Sequence, residues 1–107
     1  MANNFKNVKL DLSTNSVTTL YTAPSATTAV FKSLLVSNDQ SSGSTITVTI
    51  TDSASAVFSV YNVKSIGANT TEELLTEALV VMEGEILKVT AADADRLHVI
   101  GSFLEIT

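Results

Sequence analysis

The segment Thr45-Ile46-Thr47-Val48-Thr49-Ile50-Thr51 alternates apolar and polar residues with a period of two. Successive side chains of a β-strand point to opposite sides, so Ile46, Val48 and Ile50 would share one face and the threonines the other. β-branched side chains suit such a pleated, half-buried surface. Because a helix would scatter the same apolar residues around its axis, the segment predicts a strand with one buried face.

The same alternation extends along most of the chain. It predicts further strands at Val8–Leu12, Val17–Thr22, Ala29–Ser37, Ala56–Val63, Glu85–Ala91 and His98–Ile106. Small, polar and proline-containing turn segments separate them at Ser13–Ser16, Ala23–Ser25, Asn38–Ser44, Asp52–Ser55, Glu83–Gly84 and Ala92–Asp95. Strict alternation would place Val30, Lys32, Leu34 and Val36 on one face and Ala29, Phe31 and Leu35 on the other.

The segment Thr71–Met82 has two interpretations. It contains good helix formers, and Thr71 is a residue type that caps helices, so a single helical turn is one of them. However, its apolar end runs directly into Glu83-Gly84 and another strand. We therefore favour a strand at about Thr70–Leu75, a turn at Thr76–Ala78 and a strand at Leu79–Met82.

Together these segments predict a single all-β domain over residues 1–107. A chain of 107 residues suits one hydrophobic core. Roughly eight strands with short turns fit one antiparallel β-sandwich, either jelly-roll or Ig-like. The asparagine-rich segment Met1–Asn7 precedes the first apolar alternation, and we interpret it as a flexible N-terminal arm that orders on contact.

Composition narrows the classes of partner. The net charge of −5 opposes binding to phosphate backbones, so we expect no nucleic acid partner. The chain has no cysteine, which fits synthesis in a reducing cytoplasm. We expect no signal peptide, because Met1–Lys9 has no apolar segment of the required length. We expect no membrane partner, because no apolar run approaches the roughly 18 residues that span a bilayer.

The sequence offers weak candidates for chemistry. His98 is the only histidine, and no Gly-x-Ser-x-Gly motif accompanies it. The acidic candidates are Asp39, Asp52, Asp93 and Asp95 for a metal, and Glu72, Glu73, Glu77, Glu83 and Glu85 for paired carboxylates. Solvated turns and faces explain all of them more simply. We therefore predict no catalytic, metal-binding or cofactor-binding residue, no cofactor, and a protein that is not an enzyme.

Two segments are apolar on both strand faces, namely Leu34-Leu35-Val36 and Leu79-Val80-Val81-Met82. In a two-layer sandwich, one face of each sheet normally meets water. Such segments indicate either a surface buried by a partner or a central strand covered by a loop. The sequence leaves these two interpretations open.

The segment Leu20–Asn38 reads LYTAPSATTAVFKSLLVSN and resembles small virion structural proteins of tailed bacteriophages. Val81–Ala91 is similar to the glycine-containing hairpin of those proteins, and Leu97–Ile106 to their last strand. The resemblance implies a β-sandwich of the capsid cement, decoration or tail-associated type, without catalytic residues. It also implies a virion location after synthesis in the host cytoplasm.

The leading functional hypothesis is a capsid cement or decoration protein that bridges capsid subunits and stabilises the head. Its expected partners are the major capsid protein or other virion proteins, with a homotrimer favoured. One alternative is a tail, neck or baseplate adaptor that attaches a fibre. Another is a carbohydrate-binding β-sandwich module, which would require exposed aromatic side chains.

Overall fold

The computed structural model describes residues 2–107, which form nine strands and no helix. The strands are β1 (Asn3–Asp11), β2 (Thr18–Thr22), β3 (Thr28–Asn38), β4 (Ser44–Thr51), β5 (Val57–Ile66), β6 (Thr70–Glu73), β7 (Leu79–Val81), β8 (Ile86–Ala91) and β9 (Leu97–Ile106). The all-β prediction is confirmed. In the ambiguous segment the two-strand interpretation is confirmed, and the helical turn is wrong.

The strands form two antiparallel sheets that pack face to face. One sheet has the order β1-β9-β3-β6, with β7 pairing β3 beside β6, and the other has the order β2-β8-β4-β5. Strands from the first half of the chain pair with strands from the second half in nested order: β1 with β9, β2 with β8, and β3 with β6. The β4–β5 hairpin is the innermost pair. This arrangement is a jelly roll, which decides between the two sandwich types left open by the sequence.

Strand β3 contains a bulge that strict alternation did not predict. The register with β9 shifts between Phe31 and Ser33, which leaves Lys32 as an extra residue. The shift reverses the facing of the strand, so that Ala29 and Phe31 are buried together with Leu34 and Val36. The predicted faces were therefore wrong for the first half of this strand.

An aromatic cluster fills one part of the core. The rings of Phe31 and Phe103 stack with centroids 4.6 Å apart, and Tyr21 packs against both rings. Gly101 lies beneath Phe31, where an added Cβ would come within 2.8 Å of the ring. The absent side chain therefore makes room for the Phe31 ring.

Strand β5 departs from its predicted alternation. Its register with β4 shifts twice, and Val63 adopts a left-handed backbone with φ of 53°. Val57, Phe58 and Val63 are exposed at the edge of the four-stranded sheet, whereas Ile66 is buried. Burial of β4 follows the prediction more closely, because Ile46 and Val48 belong to the core.

Candidate interaction surface

His98 lies on the exposed face of the five-stranded sheet. Its Nε2 atom is 3.4 Å from Oδ1 of Asp11, which belongs to the neighbouring strand β1. Both side chains are largely exposed. This neighbourhood explains His98 as one member of a polar surface contact across two strands.

Two of the four aspartates named as weak metal candidates, Asp52 and Asp93, support turns. Oδ1 of Asp52 accepts the backbone N–H groups of Ala54 and Ala56, both at 2.9 Å. Asp93 accepts the Ser44 hydroxyl at 3.0 Å and lies 3.4 Å from Arg96. Across residues 2–107, no three His, Asp or Glu side chains converge as a metal site would require.

The predicted glutamate cluster is also divided among local contacts. Burial alone would raise the pKa of Glu73, but hydrogen bonds from the Ser33 hydroxyl and from the N–H groups of Leu34 and Leu75 outweigh it and lower that pKa. Glu85 accepts the N–H of Met82 at 2.8 Å. These carboxylates hold loops and strand ends in place.

Further contacts of the same kind involve Glu72 and Glu83. Glu72 lies 3.5 Å from Lys64, and Glu83 accepts the N–H of Ala26. Glu72, Glu73, Glu83 and Glu85 therefore have different partners, and none of these contacts joins two carboxylates as an acid–base pair.

The sequence did not predict the polar network around Glu105. This side chain is buried, accepts the Tyr21 hydroxyl at 2.6 Å and pairs with Lys6 Nζ at 2.7 Å. The hydrogen bond from Lys6, and to a smaller extent the one from Tyr21, holds the pKa of Glu105 below its usual range. Desolvation, with the hydrogen bond and charge of Glu105, raises the pKa of Tyr21. The network joins β1, β2 and β9 at one end of the sandwich.

The outer face of the five-stranded sheet carries a row of apolar side chains. The strand registers place Phe5 opposite Leu104, Leu104 opposite Val30, and Val30 opposite Val80. Directly opposed residues point to the same side of a sheet, so the four side chains form one line across β1, β9, β3 and β7. We call these four residues the apolar row. Phe5 is 83% exposed and Val80 is 46% exposed.

A groove lies beside the Phe5 end of the apolar row. It is open to solvent, has a volume of about 430 Å³, and Phe5, Asn7, Lys32 and Ser102 contribute to its lining. The exposed bulge residue Lys32 brings a positive charge to this groove. The surface therefore combines apolar area with a basic rim.

The outward apolar residues of β3 and β7 explain why Leu34–Val36 and Leu79–Met82 are apolar on both strand faces. Val81 is buried, whereas Val80 and Met82 on either side of it are 46% and 57% exposed. In β3, Leu34 and Val36 are buried and Leu35 is half-buried on the outer side. The apolar outward residues thus lie on one face of the five-stranded sheet.

Few aromatic side chains are available to a sugar. Phe31 and Phe103 are buried, and Tyr21 packs between them and Glu105. Phe5 and Phe58 are exposed, but they belong to different sheets. They therefore do not form the shared stacking platform that the carbohydrate-binding alternative requires.

The fold and this surface define an all-β jelly-roll domain with one apolar outer face. No family model matches the chain, and no curated protein matches it. Among solved structures, a chain of the T13 viral particle of IBDV is similar, with a TM-score of 0.60 and 13% identity. A chain of infectious bursal disease virus, Gx strain, is also similar, with a TM-score of 0.52 and 12% identity.

These two likenesses cover nearly all of this chain and a minor part of each solved chain. They extend over 96% and 95% of this chain, but over only 30% and 33% of the viral chains. At such low identity they show the fold, and the resemblance to tailed-phage proteins stays a prediction.

Proposed function

We propose that this chain is a non-enzymatic structural protein of a virion, of the capsid cement or decoration type. It would stabilise the head by bridging capsid subunits. Two observations support the proposal: the fold is similar to parts of chains from viral particles, and the outer face of one sheet carries the apolar row. The apolar row carries the argument, because it is a property of this chain itself.

The apolar row would contribute to docking through burial of apolar area. Phe5 is 83% exposed, so nearly all of its side chain is available to a partner. Fully burying such a side chain contributes about 1.5–3 kcal/mol. Aromatic side chains at the centre of an interface frequently dominate its energy. Phe5 is therefore the proposed anchor of the contact.

The two lysines nearest the Phe5 end of the row define the charge that a partner would complement there. Lys32 lines the groove beside Phe5, and Lys9 is exposed further along β1. Complementary potentials steer association and fix its orientation. The matching surface on a capsid subunit would thus combine an apolar patch with carboxylates at its rim.

The test is attachment to purified capsids from which this protein has been removed. Phe5→Ser should raise the Kd for capsids roughly tenfold to a hundredfold. Phe58→Ser is the matched control, because Phe58 is 56% exposed but belongs to the other sheet. Equal attachment of the two variants in a co-sedimentation assay would contradict the proposal.

A tail, neck or baseplate adaptor would use the same kind of apolar surface, so location separates it from a cement protein. Labelling of intact virions, or a virion reconstruction, would place the protein on the head under the present proposal. Density on the tail alone would favour the adaptor. The homotrimer favoured by the sequence also stays a prediction, and light scattering measures it as a multiple of 11.3 kDa.

A further inference from the structure

Most edges of the two sheets are unsuited to pairing with another strand. The β2 edge has five residues and a register shift between Thr19 and Tyr21. The β5 edge has two register shifts and the left-handed Val63. The remaining edge beside β3 is divided between β6 and β7, which have four and three residues. Short, bulged or interrupted edges resist edge-to-edge association.

Strand β1 is different, because it offers a long and regular edge. It has nine residues, and its register with β9 runs from Asn3 to Asp11 without a shift. Most of its side chains are exposed. A strand of this kind presents a row of backbone donors and acceptors that can template pairing with another chain.

The backbone hydrogen bonds show which residues face that edge. Ala2 and Thr107 exchange both N–H···O bonds, and Leu12 donates to Leu97, so the even-numbered residues of β1 bond to β9. The odd-numbered residues then direct their N–H and C=O groups away from the sheet. These outward residues are Asn3, Phe5, Asn7, Lys9 and Asp11.

We propose that two copies of this chain associate through β1, with the two strands antiparallel across a twofold axis at Asn7. Each copy supplies the same edge, which is the self-complementary arrangement that a twofold interface requires. The two five-stranded sheets would then continue into one another. About ten backbone hydrogen bonds would form between the outward residues.

The charges of β1 fit this register. When Asn7 of one copy lies opposite Asn7 of the second copy, Phe5 lies opposite the second copy's Lys9, and Asn3 lies opposite its Asp11. Lys6 faces Val8, so no two like charges stand directly opposite one another. A shift that centres the pair on Lys6 or on Lys9 would oppose two lysines, so the Asn7 register is favoured over both.

The proposed dimer does not depend on the proposed virion function, but it would strengthen attachment to a capsid. The twofold axis would place two copies of the apolar row on one continuous sheet face. Two linked contacts bind a repetitive surface more tightly than either one alone. The proposed twofold order also differs from the homotrimer favoured by the sequence, and one mass measurement distinguishes them.

The first experiment measures mass by light scattering over a concentration series of the full chain. The expected mass rises from one to two times 11.3 kDa. Asn7→Pro should raise the dimer Kd at least about tenfold, since it removes a central N–H that does not bond to β9. Asn7→Thr keeps that N–H and is the matched control. A persistent monomer, or a mass of three chains, would overturn the proposal.

A second experiment tests the register and does not depend on proline. Asn7→Asp and Asn7→Lys each place two like charges opposite one another, so each homodimer should weaken. An equimolar mixture should recover association, because opposite charges then meet at the axis. Native mass spectrometry resolves the mixed dimer. Homodimers of either variant as stable as the original, or a mixture that does not recover, would refute this register.

Discussion

Tyr21→Phe removes one hydroxyl from the network around the buried Glu105. The hydroxyl donates to Glu105 Oε2 at 2.6 Å, and Lys6 Nζ holds Oε1 at 2.7 Å. The ring itself stays, so its packing against Phe31 and Phe103 is retained. The variant therefore isolates one hydrogen bond to a buried carboxylate.

The expected loss follows from the charge of the acceptor. Hydrogen bonds to charged groups contribute about 1.5–3 kcal/mol, against about 0.5–1.5 kcal/mol for neutral pairs. For a domain of this size, each kcal/mol shifts Tm by roughly 4–8 °C. Tyr21→Phe should thus lower Tm by about 6–24 °C. Tyr61→Phe is the control, because the Tyr61 hydroxyl donates to the neutral carbonyl of Leu74.

The dependence on pH makes the prediction specific. The folded-state pKa of Glu105 is lowered by Lys6 and Tyr21, so this carboxylate stabilises the fold above its unfolded pKa of about 4.3. That contribution is lost as the pH falls through the folded pKa. The stability difference between the original chain and Tyr21→Phe should be largest near neutral pH and should narrow below about pH 4.

Urea denaturation across a pH series measures this difference. The reasoning is refuted if Tyr21→Phe and Tyr61→Phe lose the same stability at every pH. It is also refuted if the loss in Tyr21→Phe grows as Glu105 becomes protonated.

Two further predictions concern other parts of the molecule. Gly101→Ala should lower the free energy of unfolding by about 1–3 kcal/mol, because the new Cβ meets the Phe31 ring at 2.8 Å; an unchanged urea midpoint would show that the ring moves aside freely. Deleting Met1–Asn7 should reduce occupancy on purified capsids, because it removes Phe5 and the first half of β1; full occupancy would count against a role for this segment in attachment.

The sequence predicted the strands well because their signals are local. In Thr45–Thr49 burial follows the alternation of apolar and polar residues, whereas Thr51 is buried although alternation groups it with the outward threonines. Glu83-Gly84 marks its turn by residue type. In the structure Gly84 has φ of 80°, a backbone conformation that glycine adopts without strain. Here a few neighbouring residues carry all the necessary information.

The bulge at Lys32 shows where local signals end. Nothing in Phe31-Lys32-Ser33 marks an extra residue, because the shift appears only in the pairing with β9. The partners in the Glu105 network are similarly distant, since Tyr21 and Glu105 are separated by 84 positions. The apolar row also depends on the registers of four strands, so its residues could be named as apolar but not placed together.

The segment Asn3–Asn7, most of the predicted arm, forms the first half of β1 and pairs with β9. Its side chains are exposed, and Lys6 reaches the buried Glu105. The exposed side chains of Asn3–Asn7 agree with the asparagine-rich sequence on which the arm prediction was based. Whether the segment orders on contact with a capsid stays a prediction for the deletion experiment.

The position of β9 between β1 and β3 has a consequence for synthesis. The ribosome makes β9 last among the described strands, yet β9 forms the middle of its sheet. Until Leu97–Ile106 emerges, β1 has no neighbour in that sheet, and β3 lacks the partner along most of its length. The sheet therefore cannot be completed progressively from the N-terminus, and β1 cannot pair within it until β9 has been synthesised.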